Sequence, residues 1–269
     1  MGVSHADNAV SNNPVIRIAT TTSTENSGLL KALLPAFKQQ TGYAVHVIAV
    51  GTGKALRMGR DGDVDVVLVH APRAEEQFVR EGYGLKRHPV MYNDFVLVGP
   101  KSDPAQVMKD KDIEQALKKI ANNQAAFISR GDDSGTHKKE KSLWQASNID
   151  PRGSWYREAG QGMGKVLQIA SELDAYTLTD RGTWIAYREK SPLVILSQGD
   201  KRLHNPYGII AVSPARYPDI NHAGAESLIR WITSSAGQQR IGNFTLSGDH
   251  LFTPSAVTTF ARTPGEKTP

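Results

Sequence analysis

The sequence predicts an α/β protein of two lobes, each a mixed sheet flanked by helices, with the chain crossing twice between them. Three observations carry this expectation. Short β-branched runs alternate with amphipathic stretches almost from the start, the pattern of helices packed on a sheet. The 269 residues exceed one ordinary small domain and match two of roughly 100–150 residues each. A strand ending in the breaker pair Gly99-Pro100, and a later one over residues 205–212, mark an exit and a return.

Residues 15–19 (VIRIA) read as a short strand. Leu29, Leu30, Leu33, Leu34 and Phe37 then recur at helical spacing until Thr41-Gly42 stops the helix. A second strand is expected over 44–50, followed by a glycine turn and a short helix over 54–59. Residues 64–69 (VDVVLV) are apolar enough for a strand buried on both faces, and a helix over 73–81 follows. Residues 94–99 form the next strand, with the first crossing at its end. The middle region is expected to carry helices over 112–122, 135–146 and 163–173, and strands over 125–129, 176–179 and 194–196. The returning strand leads to helices over 223–233 and 238–244. Lobe 1 is thus discontinuous, 14–99 plus 204–261, around lobe 2 at 100–203, with 1–13 and 262–269 as flexible ends. A hinge of two crossings suits closure around a ligand.

Composition narrows the function. Hydrophobic residues make 39% and charged residues 22%, the proportions of a globular chain. The longest apolar runs fall far short of the ~18 residues of a membrane span, so a soluble mature chain is expected. The net charge of +5 does not point to nucleic acid: basic residues are scattered beside acids, as in Lys109-Asp110-Lys111-Asp112, not gathered in a stripe with aromatics. With no cysteine, disulfides, thiolate metal sites and cysteine nucleophiles are excluded. No H-E-x-x-H spacing suggests a metal enzyme, and no cofactor is expected. The opening Met1-Gly2-Val3-Ser4-His5 lacks the charged-then-apolar pattern of a signal peptide and reads as a start from which an export signal was removed.

Three stretches fall where such sheets bind ligands, at strand ends running into helix starts. They are Thr20-Thr21-Thr22-Ser23-Thr24, then Gly51-Thr52-Gly53, then Ser129-Arg130-Gly131-Asp132-Asp133-Ser134-Gly135-Thr136-His137. A tetrahedral dianion needs donors converging on four oxygens once water leaves. Hydroxyls provide donors without full charge, helix starts provide free N–H groups and a favourable dipole, and one arginine provides a charged fork. Arg130 is the candidate, oriented by Asp132 or Asp133. Each element also has a plain structural role open to it: a capping loop for the hydroxyl run, a turn for Gly51-Thr52-Gly53, a cap for Ser134, a surface ion pair for Arg130.

At these residues the chain resembles the tungstate-binding receptors of ABC importers. TTTSTENSGLL from Thr20 and SRGDDSGTHKKE from Ser129 are the most specific stretches, joined by DVDVVLVHAP, MYNDFVLVGP, DRGTW and NPYGIIAV, over residues 14–252. The resemblance implies a type II periplasmic-binding-protein fold and tungstate, or molybdate, as the ligand held between the lobes. It also implies delivery to an ABC permease, and a periplasmic or lipid-anchored location. It assigns anion contacts to Thr21, Thr22 and Ser23, and to Arg130, Ser134, Gly135 and Thr136. Thr52 is added from its position after the second strand. Thr179, Asp180 and Arg181 match a family segment, yet Arg181 could hold a lobe-internal ion pair. Lys139 is expected on a solvated face, and His70, at the end of a buried strand, as a satisfied core or rim histidine. A monomer is expected.

Three other readings stand beside this one: a receptor for another oxyanion, a hydrolase and an intracellular sensor. A phosphate receptor would need a carboxylate acceptor for the ligand's proton, which Asp132 or Asp133 could provide; a sulfate receptor would share the all-donor cleft. A hydrolase would use Ser134 and His137, although no G-x-S-x-G elbow is present. An intracellular oxyanion sensor is the remaining class, with no helix-turn-helix evident at either end.

Overall fold

The computed structural model describes residues 15–108 and 110–256; the ends expected to be flexible lie outside them. From the start come β1 (Val15–Thr21), α1 (Thr22–Asn26), α2 (Leu29–Thr41), β2 (Ala44–Val50), α3 (Thr52–Asp61), β3 (Val66–Val69), α4 (Pro72–Arg80) and β4 (His88–Gly99). Next are α5 (Ile113–Asn122), β5 (Phe127–Ser129), α6 (Gly135–Ala146), β6 (Tyr156–Glu158), α7 (Met163–Glu172), β7 (Thr177–Asp180), α8 (Arg181–Tyr187) and β8 (Val194–Ser197). Last come β9 (His204–Ala211), α9 (His222–Thr233) and α10 (Ser235–Asn243).

The chain forms two compact units. Among the described residues, 15–91, 207–243 and 254–256 make the first, and 92–206 with 244–253 make the second. The first crossing falls between Met91 and Tyr92, inside β4, not after Gly99 as the breaker pair suggested. The reason is pairing: the second half of β4 takes β7 and β8 as antiparallel neighbours, Phe95 opposite Asp180 and Gly99 opposite Val194. Residues 244–253 were expected with lobe 1. They belong to the second unit, where Phe244 lies against Phe252 and Asp249 pairs with Arg188 at 2.6 Å.

In the first unit β1 lies between β2 and β3, parallel to both, and β9 runs antiparallel to β3, with β4 next in the strand order. Both faces of this sheet are covered. Ala19, Val67, Val69 and Ile210 pack with Leu56 of α3 and Phe78 of α4 in one buried cluster. Leu29, Leu33 and Phe37 of α2 and Leu228 and Ile232 of α9 are likewise buried. A fully buried carboxylate ties the ends of the chain together. Asp65 accepts from the Arg17 backbone N–H at 2.7 Å, the Arg17 guanidinium at 2.9 Å, and the Asn221 N–H at 2.8 Å.

The second unit is built around β4. Besides β7 and β8 it holds a parallel β5–β6 pair, joined to the start of β7 by a bridge between Phe127 and Tyr176. Beneath these strands Leu97, Leu117, Ile120, Leu143, Trp144 and Tyr176 form one core. β6 escaped sequence reading because Tyr156–Glu158 is three residues long and half exposed. It forms because Tyr156 stacks on Phe127 at 5.9 Å and packs edge-on to Trp144. α8 also went unread: Asp180 ends β7 and caps α8 by accepting from the Thr183 N–H at 2.8 Å.

Asp200 closes the turn after β8. It accepts from the Ile113 N–H at 3.0 Å, the Arg202 N–H at 2.8 Å and the Arg202 guanidinium at 2.5 Å. The Arg202 hydrogen bond leads in lowering its pKa from 3.8 to about 2, against the opposing effect of burial. A carboxylate with a depressed folded pKa stabilises the fold above its unfolded pKa, and that contribution disappears as pH falls through the folded value. Asp200→Asn is therefore expected to flatten the fall in melting temperature between pH 3.8 and about 2, followed by circular dichroism. A slope unchanged from wild type would refute the assignment.

Candidate anion-binding site

Each unit presents one cluster of donors at the end of its parallel strands. In the first unit the hydroxyl run is not the loop the sequence suggested. Thr20 and Thr21 complete β1, and α1 begins at Thr22. The four hydroxyls nearest this junction divide by partner. Thr20 donates to the Leu68 carbonyl at 2.7 Å, which turns it inward and removes it from any ligand. The Thr21 oxygen caps α1, accepting from the Thr24 N–H at 3.2 Å, and lies 2.6 Å from the Thr24 hydroxyl and 3.1 Å from that of Ser23. Thr22 and Ser23 are exposed.

The parallel register of β1 and β2 sets Thr21 opposite Val50, so Gly51 and Thr52 leave the sheet beside the hydroxyl run. Gly51-Thr52-Gly53 is more than a turn: Gly51 occupies the N-cap of α3 without a side chain to cap it. The first N–H groups of α3 are thereby left to solvent or a ligand. Thr52 is half-buried at that start.

In the second unit β5 delivers the chain to Arg130. The Arg130 Nε donates to Asp132 at 2.8 Å, and neither Nη group has a partner among the described residues. The other Asp132 oxygen accepts from the Ser134 N–H at 3.1 Å. Burial works against ionisation of Asp132. Its bonds from Ser134 and the positive Arg130 outweigh that, holding its pKa below the usual carboxylate range. The loop bends at Gly131, φ 64°, where a Cβ would sit 2.7 Å from that of Glu158; only glycine fits. Asp133 also adopts a positive φ, 57°. Ser134 then caps α6, its oxygen 3.4 Å from the His137 N–H, a long contact. Gly135 is exposed in the first turn of α6, while Thr136 is buried with no partner for its hydroxyl among the described residues. The Ser134 side chain also hydrogen-bonds Asp132, the leading influence that lowers the Asp132 pKa.

Glu140 and His137, on the inner face of α6, hold this loop from below. Glu140 is 2% exposed. It accepts from Ser129 at 2.9 Å, Tyr156 at 2.8 Å and Trp144 at 3.1 Å, and so fastens the residue before Arg130 to α6 and β6. Burial raises its pKa in spite of those donors. Sequence reading missed Glu140, although His137, Glu140 and Trp144 share one helical face and the last is a core residue.

Several alternatives are settled by partners. The imidazole Nδ1 of His137 accepts from the Asp133 N–H at 3.0 Å. Ser134 meets only the backbone of His137, so no serine–histidine nucleophile pair exists. Arg181 forms the internal ion pair, a fork to Asp94 with both bonds at 2.6 Å and a further bond to Gln198. Thr179 is buried, and Asp180 is occupied by Thr183. Lys139 is not on a solvated face: its Nζ donates to the Arg202 carbonyl at 2.7 Å and lies over the Phe95 ring at 5.9 Å. Burial lowers its pKa, with Asp200 opposing. His70 packs on the Tyr207 ring at 4.8 Å. A hollow of about 170 Å³ beside Arg181, Trp184 and Arg188 belongs to neither cluster, and its arginines are already paired.

Comparison with known proteins shows the family. A model of the PBP superfamily domain matches residues 7–236. The tungstate-binding protein TupA of Peptoclostridium acidaminophilum is 51% identical over 246 residues, 90% of this chain and 86% of that one. TupA of Campylobacter jejuni is 44% identical over 241 residues, covering 88% and 89%. Among solved structures, the tungstate-binding protein TupA from Desulfovibrio alaskensis G20 superposes with a TM-score of 0.87 at 49% identity, over 91% of this chain and all of that one. The tungstate ABC transporter structure from Geobacter sulfurreducens gives 0.76 at 53% identity, over 86% and 98%. The fold is the type II fold of those binding proteins, and at this identity and coverage the chain belongs to the PBP superfamily, in the family of the tungstate-binding proteins.

Proposed function

We propose that this chain is an extracytoplasmic receptor that binds tungstate and delivers it to an ABC permease. It is a binding protein, not an enzyme, as are the relatives named above. The donors proposed for tungstate are, in the first unit, the hydroxyls of Thr21, Thr22 and Ser23 and the α3 start at Thr52, and, in the second, Arg130, Ser134, Gly135 and Thr136. The reading extends to a monomer, exported to the periplasm or held at the cell surface by a lipid.

The observation that carries it is the state of Arg130 and Asp132. The guanidinium keeps both Nη groups available, while both Asp132 oxygens already accept, from Arg130 and from Ser134. Asp133 is exposed and pairs with Lys138. The loop therefore offers charge and donors, with each of its carboxylates already engaged by a partner of its own. Hydrogen phosphate would have to compete with those partners for an acceptor for its O–H, whereas tungstate, molybdate and sulfate have none to place. The names of the relatives favour tungstate among these.

Titration calorimetry of the desalted protein with tungstate, molybdate, sulfate and phosphate tests the proposal. Tight one-to-one tungstate binding, above the other three, is the expected result. A preference for phosphate or sulfate would keep the receptor and change its ligand; no heat from any of the four would refute it.

A further inference from the structure

The hydroxyl run contains a buried residue whose proton decides what its neighbour can do. Thr24 is fully buried. Among the described residues its hydroxyl has one partner, the Thr21 oxygen 2.6 Å away. A hydroxyl has one proton and two lone pairs, so the possible wirings can be enumerated. If Thr21 donated to Thr24, the Thr24 proton would be buried with no acceptor, a state that costs about 1–3 kcal/mol. Thr24 is therefore the donor. The Thr21 oxygen also accepts the Thr24 N–H at 3.2 Å, and both its lone pairs are then filled. In its remaining contact, to the Ser23 oxygen at 3.1 Å, Thr21 has only its proton to give.

We propose that Thr24 is a specificity-determining positioning residue: it fills the last lone pair of Thr21, so that Thr21 meets an oxyanion as a donor and never as an acceptor. In the ligand-free chain the Thr21 proton goes to the exposed Ser23; an oxyanion that takes the place of Ser23 receives it, strengthened by the two bonds that Thr21 accepts. At Thr21 this wiring leaves no lone pair for the O–H of a protonated oxyanion. The inference rests on the oxyanion reading above and deepens it. The tungstate-to-phosphate selectivity of this chain depends on a buried threonine.

Thr24→Val keeps the shape of the side chain and the N–H that Thr21 caps, and removes only the donor. Thr21 then regains a free lone pair. Calorimetric titration in mildly alkaline buffer, where phosphate is the monohydrogen dianion, should show weaker tungstate binding. The tungstate-to-phosphate affinity ratio should narrow by on the order of tenfold, and Thr24→Ser should restore both. Unchanged tungstate affinity, or equal losses for both ions, would overturn the inference while leaving the receptor reading intact. Silence of the wild type toward every oxyanion would sink both. Should the valine variant not fold, proton NMR of the labelled wild type decides. The slowly exchanging hydroxyl proton between the two threonines is expected to couple to the Thr24 Hβ; coupling to the Thr21 Hβ overturns the wiring.

Discussion

Arg130→Gln is expected to weaken tungstate binding by roughly a hundredfold or more while leaving the melting temperature of the ligand-free protein nearly unchanged. The two effects separate because, among the described residues, the Arg130 side chain makes one bond, from Nε to Asp132. That pair is partly exposed, each side chain near a quarter accessible, and such pairs contribute little to folding. Towards an anion the guanidinium offers two parallel N–H···O bonds with a full charge. Charge-assisted bonds are worth about 1.5–3 kcal/mol each, so losing both removes about 3 kcal/mol or more. Glutamine retains a donor but neither the fork nor the charge. Calorimetry with the wild type and the variant measures the first effect. The thermal shift produced by saturating tungstate should shrink in step, since ligand stabilisation follows the ratio of free ligand to Kd. An unchanged affinity would remove Arg130 from the site.

The largest effect on stability is expected at Asp65. Asp65→Ala strips acceptors from the Arg17 guanidinium, the Arg17 N–H and the Asn221 N–H together. Asp65 is fully buried and the Arg17 side chain only about a third exposed, so the orphaned charge is poorly hydrated. Removing one partner of such a pair costs about 3–5 kcal/mol. The loss should be felt at a distance as well. Asn221 caps α9 by accepting from the Gly224 N–H and donates to the Val15 carbonyl, so the start of β1, the entry to β3 and the start of α9 loosen together. Urea unfolding followed by circular dichroism should show the first unit's transition moved to lower denaturant. A two-unit chain need not unfold in one step. A transition unmoved from wild type would show that Asp65 is not the tie described here.

These two residues also divide what was legible in the sequence from what was not. Arg130 stood out because its signals are local: a strand, a glycine, acids and a serine, then a helix that begins at Gly135 and ends at Ala146 as its period indicated. Capping and periodicity act over a few residues, so they survive in a linear reading. Asp65 was invisible as anything more than part of a strand, since its partners lie 48 and 156 residues away. The same distance effect hid Glu140, whose role depends on Ser129 and Tyr156 arriving from two strands. It also misplaced the crossing in β4, where local breakers pointed to Pro100 but pairing with β7 and β8 drew the strand's second half into the other unit.

The sequence by itself determined the α/β class, the order of nearly all the longer elements and the three donor-rich strand ends, because helix period, strand pattern and helix starts are written in neighbouring residues. Only the tertiary structure decided which hydroxyls and charges remain available. Thr20 turns to Leu68, Arg181 is held by Asp94, Lys139 by the Arg202 carbonyl, and Asp132 by Arg130 and Ser134. A polar side chain is free for a ligand only if no buried partner has claimed it first, and those partners come from distant parts of the chain.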